Sequence, residues 1–271
     1  MIATDCPRHI VLLLGWYYPD SVGGTERYIQ TLARDLLALG YRMTIAAPSV
    51  DDREQHYAYD GVPVYRYPID VTPTTSEVRG ETPPRYFATF MRWLEEQRPD
   101  LVHLHSLTRG CGFFHAQYVK SLGVPLCLTA HVPGVTYARG TMQRWGRVPC
   151  DGEIRGARCT ACVLHDKGVP RLVGYTAARI PARLARLAGQ WRNRLTTGLQ
   201  MAELLKHRQA HVHTLLTLAD HIVVVSQWLH DVLRRNGVAP HKLTLSRHGL
   251  SQGMPDVRAP RPLPQSSTPL R

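Results

Sequence analysis

Apolar positions along the chain follow two patterns, which are short aliphatic runs and longer segments with helical spacing. The first run, residues 10–14, holds five consecutive aliphatic residues and predicts a buried strand. A loop follows, and the motif Gly-Gly-Thr-Glu at residues 23–26 then opens a segment whose apolar residues recur every three or four positions. This segment predicts a helix that ends at Gly40.

The alternation of strand and helix continues along most of the chain. Polar residues 51–61 and 71–84 are predicted as loops, and residues 132–170 interrupt the rhythm. Further strands are predicted over residues 43–47, 62–67, 101–105, 124–129, 222–225 and 242–246, with helices over residues 85–97, 111–122 and 226–237. This order predicts right-handed βαβ crossovers and a three-layer α/β fold with a mostly parallel sheet.

Candidate binding residues lie where predicted strands end. Ligands of parallel sheets gather beyond the carboxyl ends of the strands, and Gly23, Gly24, His105 and His131 all follow such ends. A glycine turn that opens a helix can bind an anion, because the first helical N–H groups are free and the helix dipole favours negative charge there. A tight connection without a ligand is the alternative for the glycines, and a structural role is the alternative for each histidine. Their convergence on one edge favours a binding site.

The segment at residues 132–170 carries a possible set of metal ligands. Its cysteines have the spacing C-x8-C-x2-C, and a histidine follows three residues later; the four residues are Cys150, Cys159, Cys162 and His165. Such a set can bind a structural zinc ion. Three free or redox-active thiols in a surface loop are the alternative.

Residues 171–219 are predicted to be mostly helical and are rich in arginine and histidine. Apolar residues at 180, 184, 187, 191, 195 and 199 alternate with arginines, which gives a basic amphipathic face. Such a face suits an anionic membrane surface. The alternative is a helix that packs on the sheet and exposes its basic side to water.

The chain has 271 residues, is 44% hydrophobic and carries a formal net charge of +12. The charge indicates an acidic partner, and we exclude nucleic acid because aromatic residues are not interleaved with the basic ones. No apolar run reaches the roughly 18 residues of a membrane span, and the N-terminus does not read as a signal peptide. Six cysteines are too few for a disulfide scaffold. We therefore expect a cytoplasmic protein, with the inner face of the membrane as a peripheral location.

Five motifs in order resemble the N-terminal domain of the retaining GT-B glycosyltransferases of family 4. They are G-G-T-E at residues 23–26, P-D-L-V-H-L-H at 99–105, T-A-H at 129–131, A-D-H-I-V-V-V-S at 219–226 and H-G-L at 248–250. The resemblance implies a Rossmann-like domain, a nucleotide-sugar donor that carries UDP or GDP, and a site in the cleft between two domains. It also implies a glycan or lipid-linked acceptor and retention of anomeric configuration.

The resemblance assigns roles to residues in the matched motifs. His131 is implied to contact the donor sugar near the reacting carbon and is the expected catalytic residue. Gly23 and Gly24 are implied to approach the donor diphosphate, and Glu26 and His105 the acceptor. The expected substrate-binding set is Gly23, Gly24, Thr25, Glu26, His105 and Ser226.

One departure from the family pattern concerns the second domain, which carries a paired-glutamate motif (E-x7-E). This sequence lacks that motif. We expect residues 1–250 to form the acceptor-side domain, with an insertion at 132–218, and residues 251–271 to form a linker or tail toward an absent donor-binding domain. The chain alone is then expected to show little transfer. The alternative is a non-catalytic module that retains the fold and binds a membrane or a partner chain.

Overall fold

The computed structural model describes residues 8–49, 51–135, 142–181 and 194–248. Within these ranges, eight strands form one sheet and two further strands form a small hairpin. In chain order the elements are β1 His9–Leu13, α1 Gly24–Ala38, β2 Arg42–Ser49, β3 Gln55–Tyr59, β4 Val62–Pro68, α2 Thr75–Arg79, α3 Phe87–Gln97, β5 Leu101–Leu104, α4 Phe113–Ser121, β6 Leu126–Ala130, β7 Gln143–Arg144, β8 Val148–Pro149, α5 Gly156–Asp166, α6 Arg171–Ala177, α7 Arg194–Leu218, β9 His221–Val224, α8 Gln227–Arg235 and β10 Leu243–Leu245.

The large sheet has the strand order β10-β9-β6-β5-β1-β2-β4-β3. Every neighbouring pair is parallel except β3 and β4, which are antiparallel. The predicted α/β fold with a mostly parallel sheet is therefore confirmed. All the parallel strands place their carboxyl ends at one edge, which we call the carboxyl edge.

The surroundings of strand β1 explain why its sequence is continuously apolar. Ile10 and Leu12 belong to the hydrophobic core on one face of the sheet, and Val11 and Leu13 belong to the core on the other face. Both faces are covered by helices, so neither set of side chains meets water. The strand is consequently buried along its whole length.

The prediction of a loop over residues 51–61 is wrong, because residues 55–59 form the edge strand β3. The turn to β4 consists of Asp60 and Gly61, with φ values of 49° and 78°. Two consecutive positive φ values are typical of a tight hairpin turn, for which Asp-Gly is a favoured pair. The local signal for a hairpin was present in the sequence.

The predicted loop over residues 71–84 contains the short helix α2. The Thr74 hydroxyl accepts a hydrogen bond from the backbone N–H of Glu77 (3.2 Å), and the Glu77 carboxylate accepts one from the N–H of Thr74 (2.6 Å). This reciprocal arrangement is a capping box, which satisfies two otherwise free donors at a helix start. The spacing T-x-x-E was also a readable local signal.

The expected insertion contains the hairpin of β7 and β8 and the helices α5, α6 and α7, which pack against one another. The apolar positions 184, 187 and 191 of the predicted basic face lie outside the described residues, as does the expected linker at residues 251–271. Across the ranges that the structure covers, no helix is long and apolar enough to cross a membrane.

Candidate functional site

The two glycines at the start of α1 have different surroundings. A Cβ atom at Gly23 would lie 2.7 Å from Oε2 of Glu26, whereas a Cβ atom at Gly24 would meet no atom within 4 Å. Gly23 is the N-cap residue, and no side chain caps this helix. A side chain at position 23 would therefore displace the Glu26 carboxylate, while the space above the exposed Gly24 is open to a ligand.

The carboxylate of Glu26 is held beside the glycine turn. Glu26 is 7% exposed, and the Ser21 hydroxyl donates a hydrogen bond of 2.6 Å to its Oε1 atom. Its other oxygen, Oε2, lies against Gly23. Thr25 is half-buried in the same turn. An oriented carboxylate is a strong hydrogen-bond acceptor, so this position suits a ligand that brings hydroxyl groups.

A buried arginine holds the loop that leads to the glycine turn. Arg66 of β4 is 2% exposed and donates from Nη1 to the carbonyl oxygen of Pro48 (3.0 Å). Its Nη2 donates to the carbonyl oxygen of Tyr17 (2.8 Å) and to Oδ2 of Asp20 (2.7 Å). A buried guanidinium is tolerated only when its donors are satisfied. Arg66 thus ties the loop after β1 to the ends of β2 and β4. Arg66 is not among the residues predicted from the sequence, although an arginine inside an apolar strand is a readable signal.

Three histidines form a chain of hydrogen-bonded rings at the carboxyl edge. Nδ1 of His105 lies 3.1 Å from Nε2 of His131, and Nδ1 of His131 lies 3.3 Å from Nε2 of His248. The rings of His131 and His248 are parallel, with centroids 5.2 Å apart. His105 is buried, His131 is half-buried and His248 is exposed, so the chain runs from the interior to the surface. We call these residues the histidine chain.

Tyr28 connects the histidine chain to the glycine turn. It lies in α1 four residues after Gly24, which is about one helical turn. Its ring meets those of His131 and His248 with centroid separations of 5.2 Å and 4.6 Å. The start of α1 and the histidines therefore share one side of the carboxyl edge, as the sequence analysis expected.

His103 extends the cluster beneath the histidine chain. Its ring centroid is 3.9 Å from that of His105. The two residues are two positions apart along β5 and its end, so their side chains lie on the same face of the sheet. Nε2 of His103 lies 2.7 Å from the hydroxyl of Thr129 on the neighbouring strand β6. His103 and Thr129 are not among the site residues predicted from the sequence. Their pairing depends on the register of two strands that no local pattern specifies.

Burial keeps the inner histidines neutral. Desolvation, and secondarily the nearby His131 and His221, lower the pKa of His103 to about 3. Burial, followed by the charges of His103 and His131, lowers the pKa of His105 well below its ordinary value. Burial, with a smaller effect of His248, lowers the pKa of His131 to about 4. These three imidazoles therefore act near pH 7 as hydrogen-bonding groups without charge.

A comparison with protein-family models identifies the domain. Residues 23–248 match the model described as glycosyl transferase 4-like domain. The chain belongs to this family. The match begins at the glycine turn and ends at His248, so the glycosyltransferase-like domain spans both ends of the site described above.

Three of the solved structures that this chain matches are larger than the chain. Sucrose-phosphate synthase from Thermosynechococcus elongatus is 15% identical, with a TM-score of 0.49; the match covers 90% of this chain and 48% of that protein. UDP-GlcNAc 2-epimerase from Methanocaldococcus jannaschii is 11% identical, with a TM-score of 0.43 and coverages of 88% and 45%. HepE from Anabaena, in complex with UDP and glucose, is 11% identical, with a TM-score of 0.42 and coverages of 90% and 45%. The chain spans about half the length of these proteins. A search of curated protein sequences found no match.

Ser226 has a structural role in the glycosyltransferase-like domain. It is the N-cap of α8, and its hydroxyl accepts a hydrogen bond of 3.3 Å from the backbone N–H of Leu229. It follows β9 and therefore also lies at the carboxyl edge. Its expected contact with a substrate stays a prediction; as a helix cap the hydroxyl accepts one hydrogen bond and keeps its own O–H to donate.

The structure does not support the predicted zinc site, whose expected ligands are Cys150, Cys159, Cys162 and His165. Among the residues that the structure describes, no group of three or more histidine, cysteine or acidic side chains is placed to hold a metal ion. The Cys162 sulfur accepts a hydrogen bond from the N–H of Trp145 (3.3 Å), and the Cys159 thiol donates to the carbonyl oxygen of Glu153 (3.8 Å). Nδ1 of His165 lies 3.2 Å from the carbonyl oxygen of Val169. Cys159, Cys162 and His165 thus each make a local contact.

A groove of about 550 Å³ lies away from the carboxyl edge, where α7 passes the C-terminal end of α8. Gln209 and His213 of α7 line it, together with Asn236 after α8. None of the residues expected to bind substrate or metal lines this groove.

Proposed function

We propose that this domain takes part in transferring a sugar, with retention of configuration, from a UDP- or GDP-sugar to a glycan or lipid-linked acceptor. Membership of the glycosyl transferase 4-like family supports the reaction class. The observation that carries the site assignment is the contact of Tyr28, one turn into α1, with both His131 and His248. This contact supports a single ligand position between the glycine turn and the histidine chain.

The donor diphosphate binds over Gly24 in this proposal. The open space at Gly24 lets an anion approach the first N–H groups of α1, and the helix dipole favours its charge. Charge that develops on the departing diphosphate is stabilised by donors that are already oriented. The Glu26 carboxylate lies on the Gly23 side of the turn, so the anion approaches from the Gly24 side.

The acceptor binds on the Glu26 side of the turn. The carboxylate accepts hydrogen bonds from acceptor hydroxyls, and Ser21 holds it in place. His131 contacts the donor sugar between the two, as an uncharged imidazole. Such positioning lowers the entropy cost of bringing donor and acceptor together.

The complete enzyme includes a donor-binding domain in this proposal, because the chain spans about half the length of the larger structures. That domain closes on the carboxyl edge, as a separate chain or as a further segment. The net charge of +12 supports a peripheral position on an anionic membrane surface, on its cytoplasmic side, where a lipid-linked acceptor is available.

The experiment reconstitutes the domain with a donor-binding glycosyltransferase domain and measures release of UDP or GDP from a panel of nucleotide sugars. We expect release with one donor that depends on acceptor, and loss of that release in His131→Ala. His213→Ala, in the distant groove, is the matched control and should keep full turnover. Absence of turnover with every donor, although the two domains associate, would contradict the proposal and favour a non-catalytic module.

A further inference from the structure

The histidine chain can carry its hydrogen bonds in two directions. Each neutral imidazole has one N–H group and one bare nitrogen, and His131 uses both of its nitrogens in the chain. If His105 donates from Nδ1, His131 must accept at Nε2 and donate from Nδ1 to His248. If the order is reversed, His248 donates to His131, and His131 donates from Nε2 to His105.

The inner end of the chain decides between these two directions. Nε2 of His105 is buried and has no hydrogen-bond partner among the described residues. In the first direction this atom is a bare lone pair, and in the second it is an N–H group without an acceptor. Buried backbone N–H groups without acceptors are rarer in proteins than buried carbonyl oxygens that lack a donor, and the same comparison applied to the imidazole favours a bare nitrogen over an unpaired N–H group. The first direction is therefore the less costly one.

We infer that His105 is a positioning residue that fixes His131 as its Nδ1–H tautomer, so that His131 offers a hydrogen-bond donor to the ligand space. Buried His105 does not need to touch the substrate for this effect. It acts by donating a hydrogen bond from Nδ1 to Nε2 of His131 on the interior side of that ring. Burial keeps both rings neutral, so each ring carries one N–H group and has a defined tautomer.

The outer end of the chain then identifies the atom that His131 recognises. Nε2 of the exposed His248 now occupies the acceptor position, 3.3 Å from Nδ1 of His131. A ligand that replaces His248 must present an oxygen with a free lone pair, such as a sugar hydroxyl or a phosphate oxygen. This statement about the ligand rests on the proposed function, whereas the tautomer is a property of the free protein.

The test is ¹⁵N NMR of histidine-labelled protein without ligand, at a pH above the range in which histidine titrates. The ring ¹⁵N shifts and their couplings to ring protons report which nitrogen carries the proton. We expect His131 to be protonated at Nδ1 and bare at Nε2. Protonation of His131 at Nε2 with a bare Nδ1 would overturn the inference, without bearing on whether the domain transfers sugar.

Two variants separate positioning from packing. His105→Asn retains an amide N–H near the position of Nδ1 and should keep the Nδ1–H tautomer of His131. His105→Leu removes the donor, and His131 should change to Nε2–H or to a mixture of tautomers. His221→Gln is the control, because His221 lies 2.9 Å from Thr244 and outside the chain. An unchanged tautomer in folded His105→Leu would contradict the role of His105. If that variant does not fold, the wild-type spectrum alone decides.

Discussion

Replacement of Arg66 by methionine should destabilise the domain strongly. The change removes the Arg66 donor from the carbonyl oxygen of Pro48 and one of the two donors of the Tyr17 oxygen, which keeps the N–H of Ser21 at 3.2 Å. A buried polar group that loses its partner costs about 1–3 kcal/mol, and a lost hydrogen bond to a group that keeps another partner costs about 0.5–1.5 kcal/mol, so the two together give about 1.5–4.5 kcal/mol. The ion pair with Asp20 adds little, because the Asp20 side chain is 61% exposed. The loss is large against the 5–15 kcal/mol that is typical of a domain.

The assay is equilibrium unfolding in urea, followed by circular dichroism, with stability taken from the midpoint and slope. Arg66→Lys retains the charge but has fewer donors in a different geometry, so it should fall between wild type and Arg66→Met. Arg92→Met is the matched control: Arg92 pairs with Glu54 at 3.1 Å, and its side chain is 63% exposed. It should cost less than about 1 kcal/mol. A loss in Arg66→Met as small as that of the control would refute the reasoning.

Two further predictions concern the glycine turn and the buried histidines. Gly23→Ala should lower the urea midpoint, because the new Cβ would lie 2.7 Å from Oε2 of Glu26, whereas Gly24→Ala should leave the midpoint unchanged; equal midpoints would contradict this contrast. The domain should also lose stability as the pH falls below about 6.5, because burial lowers the pKa values of His103 and His115 to about 3 in the folded state. Each such histidine costs about 2 kcal/mol between pH 6.5 and 5. Urea unfolding at both pH values checks this, and His115→Gln should reduce the pH dependence; stability that does not fall toward pH 5 would contradict it.

The sequence predicted the layers of the fold because burial on both faces leaves a readable pattern. The continuous apolar run of β1 and the helical spacing of α1 are local consequences of where water is excluded. Those signals also placed Gly24, His105 and His131 at strand ends, and a parallel sheet brings such ends to one edge. The two segments predicted as loops that contain β3 and α2 both carry a readable local signal. These signals are the Asp-Gly pair of the β3–β4 turn and the capping box that opens α2.

Other features of the site depend on the order and register of strands. His103 meets Thr129 because β5 and β6 are neighbours, and Arg66 reaches Tyr17 because β4 lies beyond β2 in the sheet. The spacing of residues along the chain does not predict these contacts. The predicted zinc site differs from these contacts, because its spacing is readable in the sequence but the described residues do not support a metal site there.

The proposed function requires that Gly24 and the histidine chain form one ligand site. NMR titration with UDP and with GDP of the labelled domain in complex with an unlabelled donor-binding domain examines this, by following the Gly24 amide and the His131 ring in the same samples. We expect both signals to move with a single dissociation constant for one nucleotide, and to stay unmoved in a titration with uridine or guanosine. Movement of only one of the two signals, or of neither at millimolar nucleotide, would contradict the account.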